Sequence, residues 1–244
     1  MIAEKGERIA KVLARAGLCS RREAERWIAD GRVAVGGVPL TSAAINVNLS
    51  DAVTVDDKPL PACEPTRLWR YHKPPGLVTS HRDPQGRATV FERLPEGLPR
   101  VVSIGRLDRN SEGLLLLTND GGLARQLELP STGWTRRYRV RVHGAVVEAK
   151  LASLVEGITV SGIQYGPVHA QLNSHQRSNA WLTVSLEEGK NREVRRLMEH
   201  CGHPVTRLIR VAYGPFQLGK LTRGQTAEVP TRVLRQQLGE EAGA

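Results

Sequence analysis

A single aspartate, Asp108, is the residue of this sequence best placed to do chemistry. It follows an apolar run over residues 101–107 and precedes a turn rich in Ser, Asn and Gly, after which a second apolar run spans residues 114–117. This pattern predicts a carboxylate at the rim of a sheet, flanked by Arg106 and Arg109. A carboxylate can bond to an electron-poor carbon and leave again. The same pattern also fits a simple Asx turn, in which Asp108 bonds its own downstream backbone.

A strand that begins with an aromatic side chain is the second element that could serve such a site. Residues 138–143 alternate strictly, which predicts a half-buried strand. Tyr138 faces one side of this strand, and Arg137, Arg139 and Arg141 face the other. The tyrosine is therefore either an ordinary core aromatic or a platform on which a flipped base would stack.

A basic helix is the third element. Residues 187–198 predict a strand that ends at Gly189 and a helix that Asn191 caps. A cation of this helix that points into the sheet needs a carboxylate partner, and Asp108 is the natural one. Four cations gather near the positive end of the helix: Lys190, Arg192, Arg195 and Arg196.

Two other candidate sites lack a necessary part. Residues 214–220 have glycines and a lysine at the spacing of a phosphate-binding loop, but Leu221 replaces the hydroxyl residue that binds magnesium, and Pro215 has no amide hydrogen. His200 and His203 flank a cysteine, yet no second cluster completes a tetrahedral metal site. We therefore expect neither a nucleotide cofactor nor a bound metal.

The composition indicates a polyanionic partner. The chain has 244 residues, with 35 Lys and Arg against 25 Asp and Glu, and a net charge of +10. When so basic a protein binds nucleic acid, counterion release from the phosphates supplies much of the affinity. The three cysteines form no C-x-x-C pair, and no apolar run is long enough for a membrane span. These features favour a cytoplasmic protein that does not enter a membrane.

Two short basic helices and a hairpin open the chain. Apolar periodicity predicts a first helix that starts at Ile9 and ends at Gly17, and a capping box of Ser20 and Glu23 starts a second. A Gly-Gly turn at residues 36–37 predicts the hairpin. Six cations crowd the polar faces of the helices, which suits RNA phosphates better than a merely solvated surface: Arg8, Lys11, Arg15, Arg21, Arg22 and Arg26.

The organisation of the chain follows from these elements. Residues 6–52 resemble the small RNA-binding module shared with ribosomal protein S-four, and a proline-rich linker follows them. The rest alternates short strands with helices, which predicts an α+β fold with a mixed, mainly antiparallel sheet. We predict an S-four-like RNA-binding domain over residues 6–60, a linker over 61–66, a larger domain over 67–235 and a disordered tail over 236–244.

The chain as a whole resembles the pseudouridine synthases of the RsuA/RluB family, and most of all the RluB branch. This resemblance implies that the larger domain isomerises uridine to pseudouridine in ribosomal RNA, with large-subunit 23S rRNA as the preferred substrate. It spans residues 6–230 and rests on five motifs in the family's order, namely residues 72–76, 83–87 and 105–121, the strand around Tyr138, and residues 188–196.

The resemblance also implies roles for the site residues. Asp108 is the implied nucleophile, Tyr138 the residue that stacks on the uracil and assists removal of the C5 proton, and Arg195 the partner that keeps Asp108 ionised and aimed. Arg106 is the candidate to fill the gap that a flipped uridine leaves.

For the remaining site residues, Lys190 and Arg192 join the basic helices in binding RNA. No metal or organic cofactor is implied. The expected partner is ribosomal RNA or a pre-ribosomal particle, and the expected state is a monomer.

Some alternatives stay open at this point. Small-subunit 16S rRNA is the main alternative substrate. Composition and the N-terminal module fit a non-catalytic RNA-binding factor of ribosome assembly equally well, and only the set of Asp108, Tyr138 and Arg195 opposes that function. The residues do not decide whether Asp108 attacks C1′ of the ribose or C6 of the base.

Overall fold

The computed structural model describes residues 6–48, 50–129 and 132–239. Residues 240–244 of the predicted tail lie outside this part of the chain. The described residues form a small N-terminal domain with its own apolar core and a larger domain built around one sheet. No helix in these ranges is long and apolar enough to cross a membrane.

The N-terminal domain contains two helices and two small antiparallel sheets. One sheet is a single pair of strands, and the other has four. Its apolar core includes Ile9, Leu13 and Ile28. In chain order the elements are β1 (Glu7–Arg8), α1 (Ile9–Arg15), α2 (Arg21–Ala29), β2 (Val33–Val35), β3 (Val38–Pro39), β4 (Asn46–Val47), β5 (Val53–Val55) and β6 (Lys58–Pro59).

Local sequence signals set the boundaries of these elements. The Ser20 hydroxyl accepts a hydrogen bond from the Glu23 amide at 3.2 Å and caps α2. Gly36 and Gly37 both have positive φ, 57° and 82°, as a two-residue turn between β2 and β3 requires. The predicted helix cap at Ser20 and the predicted hairpin are confirmed.

The larger domain contains the remaining strands and helices. In chain order they are β7 (Leu68–Lys73), a 3-10 helix (Phe91–Arg93), β8 (Val102–Ile104), β9 (Glu112–Thr118), α3 (Gly121–Glu128), β10 (Arg136–His143), α4 (Glu148–Ala152), a second 3-10 helix (Ser153–Glu156), β11 (Ile158–Val160), β12 (Ile163–Tyr165), β13 (Val168–Gln176), β14 (Asn179–Leu186), α5 (Glu193–His200), β15 (Val205–Tyr213), β16 (Phe216–Gln217), β17 (Thr226–Glu228) and α6 (Thr231–Leu238).

Nine strands form one mixed sheet in the order β13-β14-β10-β15-β9-β7-β17, with β16 paired to β15 and β8 paired to β9. The pair β15 and β9 is parallel, and the other pairs are antiparallel. Gly113 permits the parallel pair, because a Cβ at its φ of +105° would overlap the Arg210 carbonyl. The predicted α+β fold with a mainly antiparallel sheet is confirmed.

Apolar clusters lie on both faces of this sheet. Side chains of β9 alternate between them, so that Leu115 belongs to one cluster and Leu116 to the other. The first cluster joins β10 and β14 to α4 and α5, and the second joins β9 and β15 to α3 and α6. The turn after β8, which contains Asp108, contacts the first cluster through Leu107.

The start of α5 differs from the prediction. Its N-cap is Arg192, in a left-handed conformation with φ 53° and no side-chain capping bond, so the predicted cap at Asn191 is wrong. The Glu193 carboxylate satisfies this end of the helix instead, because it accepts a hydrogen bond from the Lys190 amide at 2.7 Å.

The C-terminal end of the described chain also differs from the prediction. Helix α6 continues to Leu238, so residues 236–238 of the predicted disordered tail are helical. Leu234 of this helix is buried and Leu238 packs against the second apolar cluster, which explains why the helix persists.

Candidate active site

Asp108 lies in the turn between β8 and β9. Gly105 starts this turn with φ +67°, and the main chain closes it, because the Ser111 amide donates to the Asp108 carbonyl at 3.0 Å. The Asp108 carboxylate accepts no hydrogen bond from the described residues, and 30% of the side chain is exposed. The turn is therefore not the Asx turn that the sequence left open, and the carboxylate is available to a ligand.

Lys73 holds this turn from beneath. Its fully buried ammonium donates to main-chain carbonyls of Pro74 at 3.2 Å, Asp108 at 3.1 Å, Arg109 at 3.3 Å and Ser111 at 2.9 Å. Burial lowers the pKa of Lys73 to about 8, although the negative charge of Asp108 acts in the opposite direction. The sequence pattern assigned Lys73 no role. Its position could have indicated a role, because a lysine at an inward-facing position of a buried strand needs polar partners inside the protein.

Two arginines at the start of α5 face Asp108. Arg192 Nη1 lies 3.6 Å and Arg195 Nε 4.0 Å from Asp108 Oδ2, distances of ion pairs rather than hydrogen bonds. Arg195 also donates to the carbonyls of Asn110 at 3.1 Å and Val205 at 3.3 Å. Burial and the charge of Arg192 lower the pKa of Arg195, and the charge of Asp108 opposes this. Arg195 thus links β15 and α5 to the turn of Asp108.

Tyr138 borders the same cleft from β10. It is 9% exposed and lies between Val184 of β14 and Arg210 of β15 in the register of the sheet. Its neighbours Arg137 and Arg139 are exposed on the opposite face, as the alternation predicts. The packing of Tyr138 against the first apolar cluster holds its ring at the cleft wall.

A buried stack of two arginines and a tyrosine extends this wall. The guanidinium carbons of Arg136 and Arg210 lie 4.8 Å and 5.1 Å from the centroid of the Tyr213 ring. Arg136 also donates to the Tyr213 hydroxyl at 2.9 Å and to the carbonyls of Trp134 and Glu187. Neither arginine was among the site residues predicted from the sequence. Arg136 shares the inward face of Tyr138, which is the signal that could have identified it.

A broad cleft extends from helix α2 of the N-terminal domain to Asp108. Eleven cations and six carboxylates line it, so the cleft is suited to an anionic ligand. The lining cations are Arg21, Arg22, Arg26, Arg82, Arg100, Arg106, Arg109, Arg136, Lys190, Arg192 and Arg210.

This cleft divides the predicted RNA-binding residues into two groups. Arg8 and Lys11 do not line it. Arg8 lies in β1 before the first helix, and Lys11 forms an ion pair with Glu7. Whether these two side chains contact RNA stays a prediction. The predicted RNA-binding residues that line the cleft are Arg21, Arg22, Arg26, Arg106, Lys190 and Arg192.

Arg15 connects the two domains. Its guanidinium donates to the Glu64 carbonyl at 2.8 Å and the Thr66 hydroxyl at 3.2 Å, and lies 3.5 Å from the Asp120 carboxylate. Burial opposes the charge on Asp120, but hydrogen bonds from Thr66 and the first amides of α3, together with the Arg15 charge, lower the pKa of Asp120. Arg15, predicted to bind RNA, therefore has its main contacts within the chain.

Metal ligands do not cluster in the described chain. Across residues 6–48, 50–129 and 132–239, no group of three His, Cys, Asp or Glu side chains could hold a metal ion. His203 lies at the end of α5, where its ring accepts a hydrogen bond from the Val147 amide at 3.3 Å. That contact gives the histidine a structural role.

Comparison with known proteins assigns both domains. Residues 67–200 match the RNA pseudouridylate synthase family, and residues 7–53 match the S4 domain. A crystal structure of a pseudouridylate synthase has the same fold, with a TM-score of 0.64 and 25% identity over 93% of this chain and 98% of that one.

Two relatives extend over nearly the whole sequence. An RNA pseudouridine synthase of Rickettsia felis is 47% identical over 228 residues, which cover 93% of this chain and 99% of the relative. The ribosomal large subunit pseudouridine synthase B of Yersinia pestis is 43% identical over 234 residues, which cover 92% of this chain and 73% of the relative. The chain belongs to the RNA pseudouridylate synthase family, with an S4 domain at its N-terminal side, and is an isomerase that acts on RNA.

Proposed function

We propose that this chain converts a specific uridine of ribosomal RNA, in the large subunit, to pseudouridine, with Asp108 as the nucleophile. The observation that carries the proposal is the Asp108 carboxylate, which has two arginines within ion-pair distance and opens into a basic cleft. The large subunit is favoured because the Yersinia pestis relative at 43% identity is named for it.

The reaction exchanges one bond between ribose and base for another. The N1–C1′ bond breaks, the uracil turns, and C1′ joins C5, while C5 loses a proton and N1 gains one. Asp108 forms a temporary bond to an electron-poor carbon, C1′ or C6, and leaves again. The guanidinium groups of Arg192 and Arg195 lie within ion-pair distance of the carboxylate that takes this step.

Tyr138 supplies the surface on which the uracil stacks, and it assists removal of the C5 proton. Its burial against the first apolar cluster supports this role, because a fixed ring costs little further entropy when the base binds. The stack of Arg136, Tyr213 and Arg210 keeps the adjoining wall rigid and positive.

Arg106 occupies the space that the uridine leaves. The bond between sugar and base is out of reach inside stacked RNA, so the nucleotide must turn outward. Arg106 is exposed, lines the cleft and precedes the nucleophile by two residues in the same turn. Its position supports insertion into the stack at the moment Asp108 meets the flipped nucleotide.

Pseudouridine mapping in a strain that lacks this protein tests the proposal. We expect one pseudouridine to be absent from 23S rRNA, and to return with the wild-type chain but not with Asp108→Asn. Asp57→Asn is the matched control, because Asp57 lies in an exposed turn with φ 61°, a conformation that Asn adopts readily.

Other results of the same mapping would contradict parts of the proposal. Loss of a pseudouridine from 16S rRNA would contradict the large-subunit substrate. Full restoration by Asp108→Asn would contradict the role of Asp108, and an unchanged pattern in the deletion strain would contradict ribosomal RNA as the substrate.

A further inference from the structure

A second basic surface lies on the sheet face opposite the cleft. Because β10 alternates, Arg137, Arg139 and Arg141 all lie on this opposite face. In the register of the sheet, Arg141 is flanked by Trp181 of β14 and Arg207 of β15. We call these five residues the back-face surface.

The back-face surface is open to solvent. Arg137 and Arg139 are exposed, and Arg141, Trp181 and Arg207 are half-buried, whereas the inward residues of β10 and β14 are all buried. Helices α3 and α6 pack on this face over the apolar cluster of β9 and β15, and Trp181 of β14 packs against that cluster with part of its side chain still exposed. The part formed by β10, β14 and β13 is therefore available to a partner.

The charge of this surface is almost unopposed. Arg137 and Arg139 have no carboxylate within ion-pair distance in the described chain. Glu112 lies beside the surface, but it is already held by Arg207 at 2.6 Å and by Arg223 at 2.7 Å. Among the described residues, the surface therefore carries a net positive charge that suits an anionic ligand.

Trp181 adds an aromatic plane to these cations. The guanidinium carbon of Arg139 lies 4.3 Å from the centroid of the Trp181 ring, and that of Arg207 lies at 6.0 Å. Arginine is the cation whose planar guanidinium fits phosphate oxygens in pairs, and aromatic rings beside it are used to stack bases. This combination favours RNA over a merely acidic protein surface.

We propose that the back-face surface binds a second segment of the RNA substrate, chiefly through its phosphates, while the cleft holds the segment that contains the target uridine. The proposal rests on the chain acting on RNA. It depends neither on the role of Asp108 nor on which uridine is modified, so its test measures binding and not turnover.

The test compares two charge-matched double variants. Arg137→Gln with Arg139→Gln removes two back-face cations, and Arg125→Gln with Arg232→Gln removes two exposed cations from α3 and α6. Binding to a complete 23S rRNA transcript and to a short RNA hairpin is measured over a range of salt concentrations. Thermal melting of each variant checks that the fold is retained.

We expect the back-face variant to bind the long transcript about tenfold more weakly than the wild type. The plot of log binding constant against log salt concentration should become less steep by about 2, because two phosphate contacts are lost. Its affinity for the short hairpin, which the cleft alone accommodates, should match that of the wild type. The control variant should change the slope less than half as much. In a separate variant, Trp181→Phe, RNA should quench a smaller fraction of the protein's tryptophan fluorescence than it does in the wild type.

Three results would overturn the proposal. Equal losses in the two double variants would mean that overall charge, not this surface, matters. An unchanged slope in the back-face variant would mean that the surface contacts no phosphate. Unchanged RNA binding together with lost binding to polyglutamate would assign the surface to an acidic protein instead.

Discussion

The turn of Asp108 and the basic start of helix α2 lie at opposite ends of one cleft and are built differently. The Lys73 ammonium holds the turn by donating hydrogen bonds to its main-chain carbonyls. Arg195 holds it from α5 by donating to the Asn110 carbonyl. Arg21 and Arg22 are exposed and have no ion pair with a described residue. A covalent step needs its atom in one place, whereas phosphates can be bound by side chains that adapt to them.

This contrast predicts different consequences for substitutions at the two ends. Changes beneath or beside the turn should lower the turnover rate or the stability of the fold. Changes on α2 should alter RNA affinity and its salt dependence while the turnover rate at saturating RNA stays the same.

Lys73→Met should have the largest effect on the fold. It leaves buried carbonyls without their donor, which should lower the free energy of unfolding by about 3 kcal/mol and disorder the turn. Denaturant unfolding measures the loss, and Lys58→Met, at an exposed position in β6, is the control. Equal stability of the two variants would show that Lys73 does not support the turn.

Arg195→Ala should lower the turnover rate about a hundredfold, because the turn loses its side contact and Asp108 loses a neighbouring positive charge. The turnover rate of Arg195→Lys should stay close to that of Arg195→Ala, since one ammonium cannot reach both carbonyls and Asp108. Arg196→Ala, one position further along α5, is the control, because its guanidinium donates to the Asn191 side chain at 3.5 Å and not to the turn. Similar rates for the two alanine variants would contradict the positioning role.

Asp120→Asn should lower the free energy of unfolding by about 1 kcal/mol at neutral pH. Asn still caps α3, so the loss reflects the charge that faces Arg15 across the two domains. Because the pKa of Asp120 is lowered in the folded chain, its contribution is present above the ordinary value of 3.8 and disappears as the pH falls below it. The free energies of unfolding of wild type and variant should therefore differ at neutral pH and become equal at acidic pH. A difference that persists in acid would exclude the ion pair as its cause.

Arg21→Gln combined with Arg22→Gln should have the smallest effect, a few-fold loss of RNA affinity with a salt slope lower by about 2. The comparison is Arg8→Gln combined with Lys11→Gln, which removes the same charge outside the cleft, and a change in slope of less than about 1 would confine the phosphate contacts of this domain to the cleft. Equal slopes for the two double variants would show that RNA follows the whole polar face of the helix pair and not the cleft alone.

Local features of the sequence predicted most of the fold. The Ser20 helix cap, the Gly36-Gly37 turn and the alternation of β10 each depend on residues close together in the chain, and all three are observed. The predicted cap at Asn191 was wrong because Arg192 adopts a left-handed conformation that its residue type does not favour.

The site was only partly predictable, because it depends on strand order. Strand β15 lies between β10 and β9 and brings Arg210 beside Tyr138 and the carbonyl of Leu114. Nothing in the spacing of these residues indicates that neighbourhood. Lys73 was missed for the same reason, since its carbonyl partners become visible only once β7 and the turn of Asp108 are placed together.

Release of tritium from RNA that contains 5-tritiated uridine tests the central claim most directly. Asp108→Asn should release no tritium above background, while its affinity for the same RNA stays within a few-fold of wild type, because the fixed turn and the basic cleft remain. Asp57→Asn should release tritium at the wild-type rate. Release by Asp108→Asn at a rate near that of wild type would contradict the assignment of Asp108 as the nucleophile.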